Sequence, residues 1–380
     1  MADDAKHKQV YFVIGEASGD ALGAALMDAL EQKHSNIKFL GLAGDQMQAK
    51  GLKSLFDIEQ IAVMGITAVL GRLPTILSRI RDTANDIIAK NPDCVVLIDS
   101  PDFTHRVAKK VRAKAPHIPI IHYVCPSVWA WRESRAEKMT AYIDHVLAIL
   151  PFEVEALKRL NGPEATYVGH PLTTRIDEKN TGHVIGEMPK LLLLPGSRSG
   201  EIKRHMPIIH DTLEVLKERG NDYELIMPVV AKHADTIKNI ISDWPFDITV
   251  IEGDEAKWEA FRTADIALAA SGTVSLELAI SKVPTVLYYQ LDPIANQFRF
   301  LLKGWSAALP NLITDRIVIP ERLQEFAHPQ AMVRLLERLA SDTFERKTQM
   351  AGFEDVINAM KTNKPGAEIA ADVVAGFLKR

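Results

Sequence analysis

Along this chain, short runs of β-branched and aliphatic residues alternate with longer segments whose apolar positions recur every three or four residues. The first rhythm is that of a buried strand, the second that of an amphipathic helix. Their alternation predicts an α/β protein with parallel sheets covered by helices. The strand segments of the first half are 10–14, 38–42, 94–98, 119–124 and 145–149. Those of the second half are 190–194, 224–228, 248–251, 265–268 and 285–288. Each half therefore has enough strands and helices for one Rossmann-like domain. Between them, 169–189 is polar and carries Gly169, Pro171, Gly182, Gly186 and Pro189, the composition of a linker. After Ile319 the pattern becomes purely helical, over 329–340, 343–360 and 366–378. The expected architecture is two Rossmann-like domains, 1–170 and 171–362, facing across a cleft, with a helical C-terminal segment. Ligands in such sheets bind beyond the carboxyl ends of the strands, so chemistry is sought in the loops there.

Composition narrows the class. The 380 residues exceed what one core usually supports, and a net charge of −4 argues against a general nucleic-acid binder. Two cysteines, Cys94 and Cys125, suit a reducing compartment and lack the spacing of a zinc site. The first residues have neither the basic start nor the apolar stretch of a signal peptide, and no apolar run is long enough to span a bilayer. The expectation is a soluble protein, or one lying on a membrane surface.

In the first half, the opening strand runs into Gly15-Glu16-Ala17-Ser18-Gly19-Asp20 and a helical stretch, 21–33. Glycines at such a turn let a ligand approach the backbone. The spacing differs from the dinucleotide fingerprint, and Glu16 and Asp20 would repel a diphosphate. An acceptor sugar, whose hydroxyls suit carboxylates, fits better, with Ser18 or Asp20 also capping the helix. After 94–98 comes Asp99-Ser100-Pro101-Asp102-Phe103. Asp102 reads as the N-cap of a helix over 104–113, whereas Pro101 keeps Asp99 out of helical geometry. That leaves Asp99, at a strand's carboxyl edge, as a candidate general base. The third loop runs from His122 through Trp129 and Trp131 to Arg132. Its tryptophans either stack on a sugar or pack beneath the loop, and the pattern leaves both open.

In the second half, the loop after 191–194 reads Pro195-Gly196-Ser197-Arg198-Ser199-Gly200-Glu201. Gly196 and Ser197 bring backbone close to an anion, and Arg198 clamps phosphate oxygens. The loop Ala270-Ser271-Gly272-Thr273 opens a helix and offers hydroxyls and amides to the same phosphates. Glu277 lies one turn beyond Thr273 on the same face, suited to ribose hydroxyls, the alternative being a solvated helix charge. No metal-ligand cluster or cofactor motif occurs, so neither is expected.

Together these loops resemble the lipid-A-disaccharide synthases, a GT-B family of inverting, metal-independent glycosyltransferases. The matching segments are GEASGD (15–20), VMG (63–65), IDSPDF (98–103), HYVCPSVWAWR (122–132), LPFE (150–153), VGHP (168–171), LLPGSR (193–198), SGT (271–273) with Glu277, and LPN (309–311). Cys125 departs from the pattern, which has serine there. The resemblance implies that UDP-2,3-diacylglucosamine donates its sugar to the 6-hydroxyl of 2,3-diacylglucosamine 1-phosphate, giving a β-1,6 disaccharide and UDP. It implies that Asp99 is essential and a candidate for the base, that Arg198 acts on the donor phosphates, and that Asn311 belongs to the donor site. It further implies that a final helix, 363–380, rejoins the first domain, and that the enzyme sits on the cytoplasmic face of the inner membrane. A homodimer is compatible with it. Competing readings are another GT-B enzyme of UDP-N-acetylglucosamine (the peptidoglycan transferase or a 2-epimerase) and a non-catalytic nucleotide-sugar-binding protein.

Lipid substrates make residues 63–80 a candidate for docking on an anionic membrane. Ile66, Val69, Leu70, Leu73, Ile76, Leu77 and Ile80 recur at helical spacing, and Pro74 is expected to divide them into two short helices. Residues 60–81 contain no acid but include Arg72, Arg79 and Arg81. A helix packed on the first sheet is the alternative, disfavoured by Gly65 and Gly71. Phe298, Leu301, Leu302 and Trp305, beside Arg299 and Lys303, form a second candidate.

Overall fold

A computed structural model describes residues 7–61, 66–178, 186, 188–297 and 303–378. The chain divides into two compact units, Met1–Pro171 with Thr362–Arg380, and Leu172–Lys361. The first unit runs β1 (Lys8–Ile14), α1 (Ala17–Lys33), β2 (Ile37–Leu42), α2 (Asp45–Ala49), α3 (Ile66–Lys90), β3 (Cys94–Ile98) and α4 (Pro101–Lys114). It continues with β4 (Ile120–Tyr123), α5 (Ser134–Met139), β5 (His145–Ala148), α6 (Glu153–Arg159) and β6 (Ala165–Tyr167). The second unit opens with β7 (Lys190–Leu194), α7 (Ser199–Glu218), β8 (Glu224–Val229), α8 (Ala234–Ile241), β9 (Ile248–Glu252) and α9 (Asp254–Thr263). There follow β10 (Ile266–Ala270), α10 (Val274–Ile280), β11 (Thr285–Tyr289), α11 (Pro293–Gln297), α12 (Leu309–Thr314), β12 (Glu321–Leu323), α13 (Pro329–Leu339) and α14 (Phe344–Met360). The last helix, α15 (Gly366–Leu378), belongs to the first unit.

Each unit is built on a six-stranded sheet, in the order β2-β1-β3-β4-β5-β6 and β12-β11-β10-β7-β8-β9, with every pairing parallel. Helices on both faces explain why β3 is buried throughout and wholly apolar. Alternation still sorts its neighbour: Tyr11 and Val13 of β1 join one core with Ile80 and Val107, while Val10, Phe12 and Ile14 join another with Leu26, Met27 and Val374. The strand order reverses between β1 and β3 in the first sheet and between β7 and β10 in the second. At such a switch point neighbouring loops diverge and leave a crevice, so loops following those four strands are placed to hold ligands.

Three expectations need correction. The chain beyond Ile319 is not purely helical, because 321–323 pair as β12 on β11. Pro74 does not divide the amphipathic segment: α3 is one helix through it. Residues 72–75 are exposed, so the proline ring lies on the solvent side of the helix and not in the core. Helix α4 begins at Pro101, so Asp102 lies in its first turn and Ser100 is the N-cap.

Candidate active site

In the first unit, the loops after β3 and β4 are held in strained geometry. Asp99 and Ser100 have φ of 55° and 44°, Val124 74° and Arg132 57°. Positive φ is unusual for any residue with a Cβ and an outlier for a β-branched one; such strain concentrates at functional sites. The Asp99 amide donates to the Tyr123 carbonyl at 3.0 Å, and the Ser100 amide donates to Asp99 Oδ1 at 2.7 Å. Thr104 Oγ1 donates back to the carbonyls of Asp99 and Ser100. Gly15 must be glycine, since a Cβ there would sit 2.2 Å from Ser100 Cβ. The same approach lets the Ser100 hydroxyl donate to Glu16 Oε1 at 3.3 Å. Glu16 and Ser18 are exposed and Asp99 is half-buried, so two carboxylates and a hydroxyl share this edge of the sheet.

Other expected members of this site are otherwise engaged. Asp20 is buried and does not cap α1: its carboxylate accepts from the amides of Gly44, Gln46 and Met47 at the start of α2. His122 lies inside β4, fully buried, with Nε2 3.4 Å from Thr104 Oγ1 and its ring edge-on to His105, so it supports the Asp99 turn from beneath. The tryptophans divide. Trp129 packs edge-on to Phe152 and donates its indole N–H to Glu153, whereas Trp131 is 45% exposed with the Arg132 guanidinium 4.0 Å from its ring centre. Glu153, inside LPFE, escaped assignment as a site residue. Buried, it accepts from Ile149, Leu150 and Trp129. Burial raises its pKa to about 7 against those hydrogen bonds.

In the second unit, the loops after β7 and β10 line a cavity of about 510 Å3 that includes Gly196, Ser197, Arg198, Ser271, Gly272, Thr273 and Glu277. The expected donor residues, Asn311 excepted, thus meet in one place. Arg198 is 68% exposed and bonded at 2.7 Å to Glu201 Oε1. Glu201 Oε2 takes the amides of Ser197 and Arg198, so those amides face inward and the guanidinium, with the Ser197 hydroxyl, is what the loop presents. Burial pushes the Glu201 carboxyl up, but Arg198, the Ser197 amide and the Tyr289 hydroxyl outweigh it and leave its pKa below the ordinary value. Glu201 was not assigned from sequence, although its place three residues after Arg198 is the spacing of a capping box. His205 Nδ1 donates to the Pro195 carbonyl at 2.8 Å while Nε2 accepts from the Gln290 amide, anchoring the loop. Glu277 pairs with Lys257, which also holds Asp254; nothing in the pattern around Lys257 signals this.

Asn311 does not line this cavity. Its side chain is buried, accepts from the Val318 and Ile319 amides and donates to Ser306 and to the Ile319 carbonyl. That network fixes 306–308, and the Ala307 carbonyl accepts the Ser271 hydroxyl at 3.0 Å. Asn311 therefore positions Ser271 from behind.

Of the amphipathic segment, the side chains of Ile66, Val69 and Leu70 lie outside the described residues. Leu73 and Leu77 are 38% and 47% exposed, Ile76 packs partly on the core, and Ile80 is within it. The stripe thus splits into an outward and an inward part. Phe298, Arg299, Leu301 and Leu302 also lie outside the described residues, and Trp305 is exposed. No helix among the described residues is long and apolar enough to cross a membrane.

Two Rossmann-like units with loops gathered at both switch points define the class, a GT-B glycosyltransferase fold. It is shared with the glycotransferase of kitacinnamycin (TM-score 0.63, 14% identity, 98% of this chain and 99% of that one). It is shared equally with S. aureus MnaA, solved with UDP (TM-score 0.63, 13% identity, 98% and 97%). Within that class, residues 10–372 match the family described as Lipid-A-disaccharide synthetase. The lipid-A-disaccharide synthase of Nitrobacter winogradskyi is 42% identical over 98% of this chain and 97% of its own length. The chain belongs to the lipid-A-disaccharide synthase family.

Proposed function

We propose that this protein transfers the diacylglucosamine of UDP-2,3-diacylglucosamine to the 6-hydroxyl of 2,3-diacylglucosamine 1-phosphate, forming the β-1,6 disaccharide with inversion and releasing UDP. The family match across nearly the whole chain carries this reading. The loops supply its parts. The acceptor oxygen attacks the anomeric carbon from the face opposite the diphosphate, the carbon–oxygen bond to UDP breaks, and its electron pair leaves with the diphosphate. A carboxylate at the first switch point takes the hydroxyl proton; Asp99 is the better placed, because its turn is rigidly held, with Glu16 beside it. Charge building on the diphosphate meets the Arg198 guanidinium, oriented by Glu201, and the Thr273 hydroxyl, while Ser271 donates to the Ala307 carbonyl and shapes the loop. Glu277 receives the ribose, with Lys257 fixing its carboxylate.

Fatty-acyl substrates suit a peripheral protein on the cytoplasmic face of the inner membrane, with the exposed Leu73–Leu77 face of α3 resting on anionic lipid. UDP release measured with and without the acyl-glucosamine phosphate decides the function. Release only with the acceptor supports transfer. Release without disaccharide, interconversion of free UDP-sugar, or binding without turnover would replace it with another enzyme of the fold or a binding protein.

A further inference from the structure

Helices α4 and α5 flank a pocket of about 500 Å3 for which the site above has no use. Its wall carries Arg106 and Lys109 from α4, Arg132 from the tryptophan loop, and Arg135 and Lys138 from α5, against a single carboxylate, Asp102. That carboxylate is already engaged, 3.3 Å from Arg135. Lys109 sits 4.9 Å from the Tyr142 ring centre and, among the described residues, forms no salt bridge. Among the described residues Arg106 and Lys138 have no ion-pair partner. Like charges crowd together at a cost unless an anion joins them, so this wall is built for a counter-charge that the chain does not provide.

A buried neighbour points the same way. His105 lines the pocket, is 5% exposed, and has its Nδ1 3.3 Å from the Tyr142 hydroxyl, while Nε2 has no hydrogen-bond partner. A buried polar atom left unpaired is costly and calls for a partner. Burial first, then His122, Arg135 and Lys109, push its pKa down, so the ring is neutral and the surrounding potential positive. The pocket adjoins the candidate acceptor loops on the same edge of the sheet: Pro101 and Asp102 directly follow the Asp99–Ser100 turn, and Arg132 ends the tryptophan loop. Guanidinium and ammonium groups gathered at one concave place match the several oxygens and double charge of a phosphate monoester.

We propose that this pocket binds the 1-phosphate of the acceptor, holding the phosphorylated end of that sugar while the Asp99 turn meets its hydroxyl end. The assignment rests on the proposed function above and adds the group by which the acceptor is recognised. An anionic lipid headgroup offers the same phosphate chemistry, so the test separates the two sources.

Arg106 and Lys109 are exposed, and their replacement spares the core. In Arg106→Ala/Lys109→Ala, KM for the phosphorylated acceptor should rise about ten- to a hundredfold with kcat little changed, the loss expected for charged hydrogen bonds. The preference over the same acyl-glucosamine lacking phosphate should collapse, and Arg106→Glu/Lys109→Glu should lower it further. An unchanged preference in both variants overturns the proposal. So does loss of flotation on phosphatidylglycerol vesicles with the preference intact, which would assign the pocket to lipid headgroups. Should wild-type protein form no disaccharide at all, the proposed function fails, and calorimetry with glucosamine 1-phosphate against glucosamine then decides the pocket. Phosphate-dependent binding that the alanine variant loses upholds it; equal binding of both sugars, or none, overturns it.

Discussion

In the first unit, the loops after β3 and β4 turn through Asp99, Ser100, Val124 and Arg132 at positive φ; in the second unit the cavity is lined at such turns by Gly196 and Gly253, at φ 109° and 92°. A left-handed residue with a Cβ costs roughly 1–2 kcal/mol, a glycine almost nothing. The second unit needs only to bring backbone and a few fixed groups near a ligand, which glycine does without strain. The first keeps costly residues at its turns, which makes sense if their side chains must stand there. Buried carboxylates differ likewise: Glu153 is held up, by burial, to about 7, while Glu201, bonded to Arg198, ends below the ordinary value. One unit holds strained, desolvated groups as chemistry does, the other neutralised pairs as binding does.

The sharpest break in that contrast would come from Asp99→Asn. We expect turnover to fall by about 10²–10⁴, the usual contribution of a general base, with calorimetric UDP affinity and unfolding midpoint unchanged. More than about a tenth of wild-type kcat remaining would remove Asp99 from the chemistry. Arg198→Ala should cost about 10²–10³ in rate and, unlike Asp99→Asn, weaken UDP binding. Wild-type UDP affinity in that variant would mean the guanidinium does not meet the diphosphate.

The carboxylate contrast is read from pH. Glu153, with its folded pKa raised, keeps a proton that the unfolded chain has released between about pH 4.5 and 7. The folded form loses stability as pH rises through that window, so wild type should fall behind Glu153→Gln by up to about 3 kcal/mol across it. Denaturant midpoints that stay parallel for the two proteins would argue against a desolvated Glu153. Smaller again is a pair of turn substitutions. Gly196→Ala should destabilise by about 1–3 kcal/mol, from positive φ and a Cβ 2.7 Å from Glu201 Oε2, whereas Ser100→Gly should stabilise by up to about 1 kcal/mol while slowing turnover. Equal losses in both would abolish the distinction between strained and glycine turns. Last, Leu73→Ser/Leu77→Ser should abolish vesicle flotation yet shift stability by less than about 1 kcal/mol. A variant that unfolds would show that face to be packed.

The sequence made the central strands plain because nothing but a buried strand looks like Cys94–Ile98 or Lys190–Leu194, and both were read to the residue. The two strands missed, Ala165–Tyr167 and Glu321–Leu323, are three-residue edges, half-buried and too short to establish a period. Polar residues within the motifs were harder to sort. Asp20, His122 and Asn311 stand in the same segments as Asp99 and Arg198, yet each turns inward to support a loop. Periodicity in a loop cannot distinguish a carboxylate offered to solvent from one spent on three amides. Contacts made across distant segments, such as Lys257 to Glu277, leave no local trace at all. In the amphipathic segment, spacing marked helix but set a break at Pro74 that the structure lacks, and only packing reveals that Ile80 belongs to the core and Leu77 to the surface.

Helix α15 also has a bearing on how the protein is made. Its Ala370, Ala371, Val374 and Leu378 complete a core shared with β1 and β3, and Gly366 approaches so closely that a Cβ would meet the Val168 carbonyl at 2.6 Å. On the ribosome those residues emerge only after all of Leu172–Lys361, a unit whose sequence is continuous and can close on itself first. Throughout that interval the apolar sheet face of the nascent first unit is covered by α1 but not by α15, and the part left bare is the kind of surface that recruits chaperones or aggregates. Slow passage through the second unit's codons would lengthen the exposure, and a chain released before residue 366 would yield a sound second unit tethered to a first that cannot be finished.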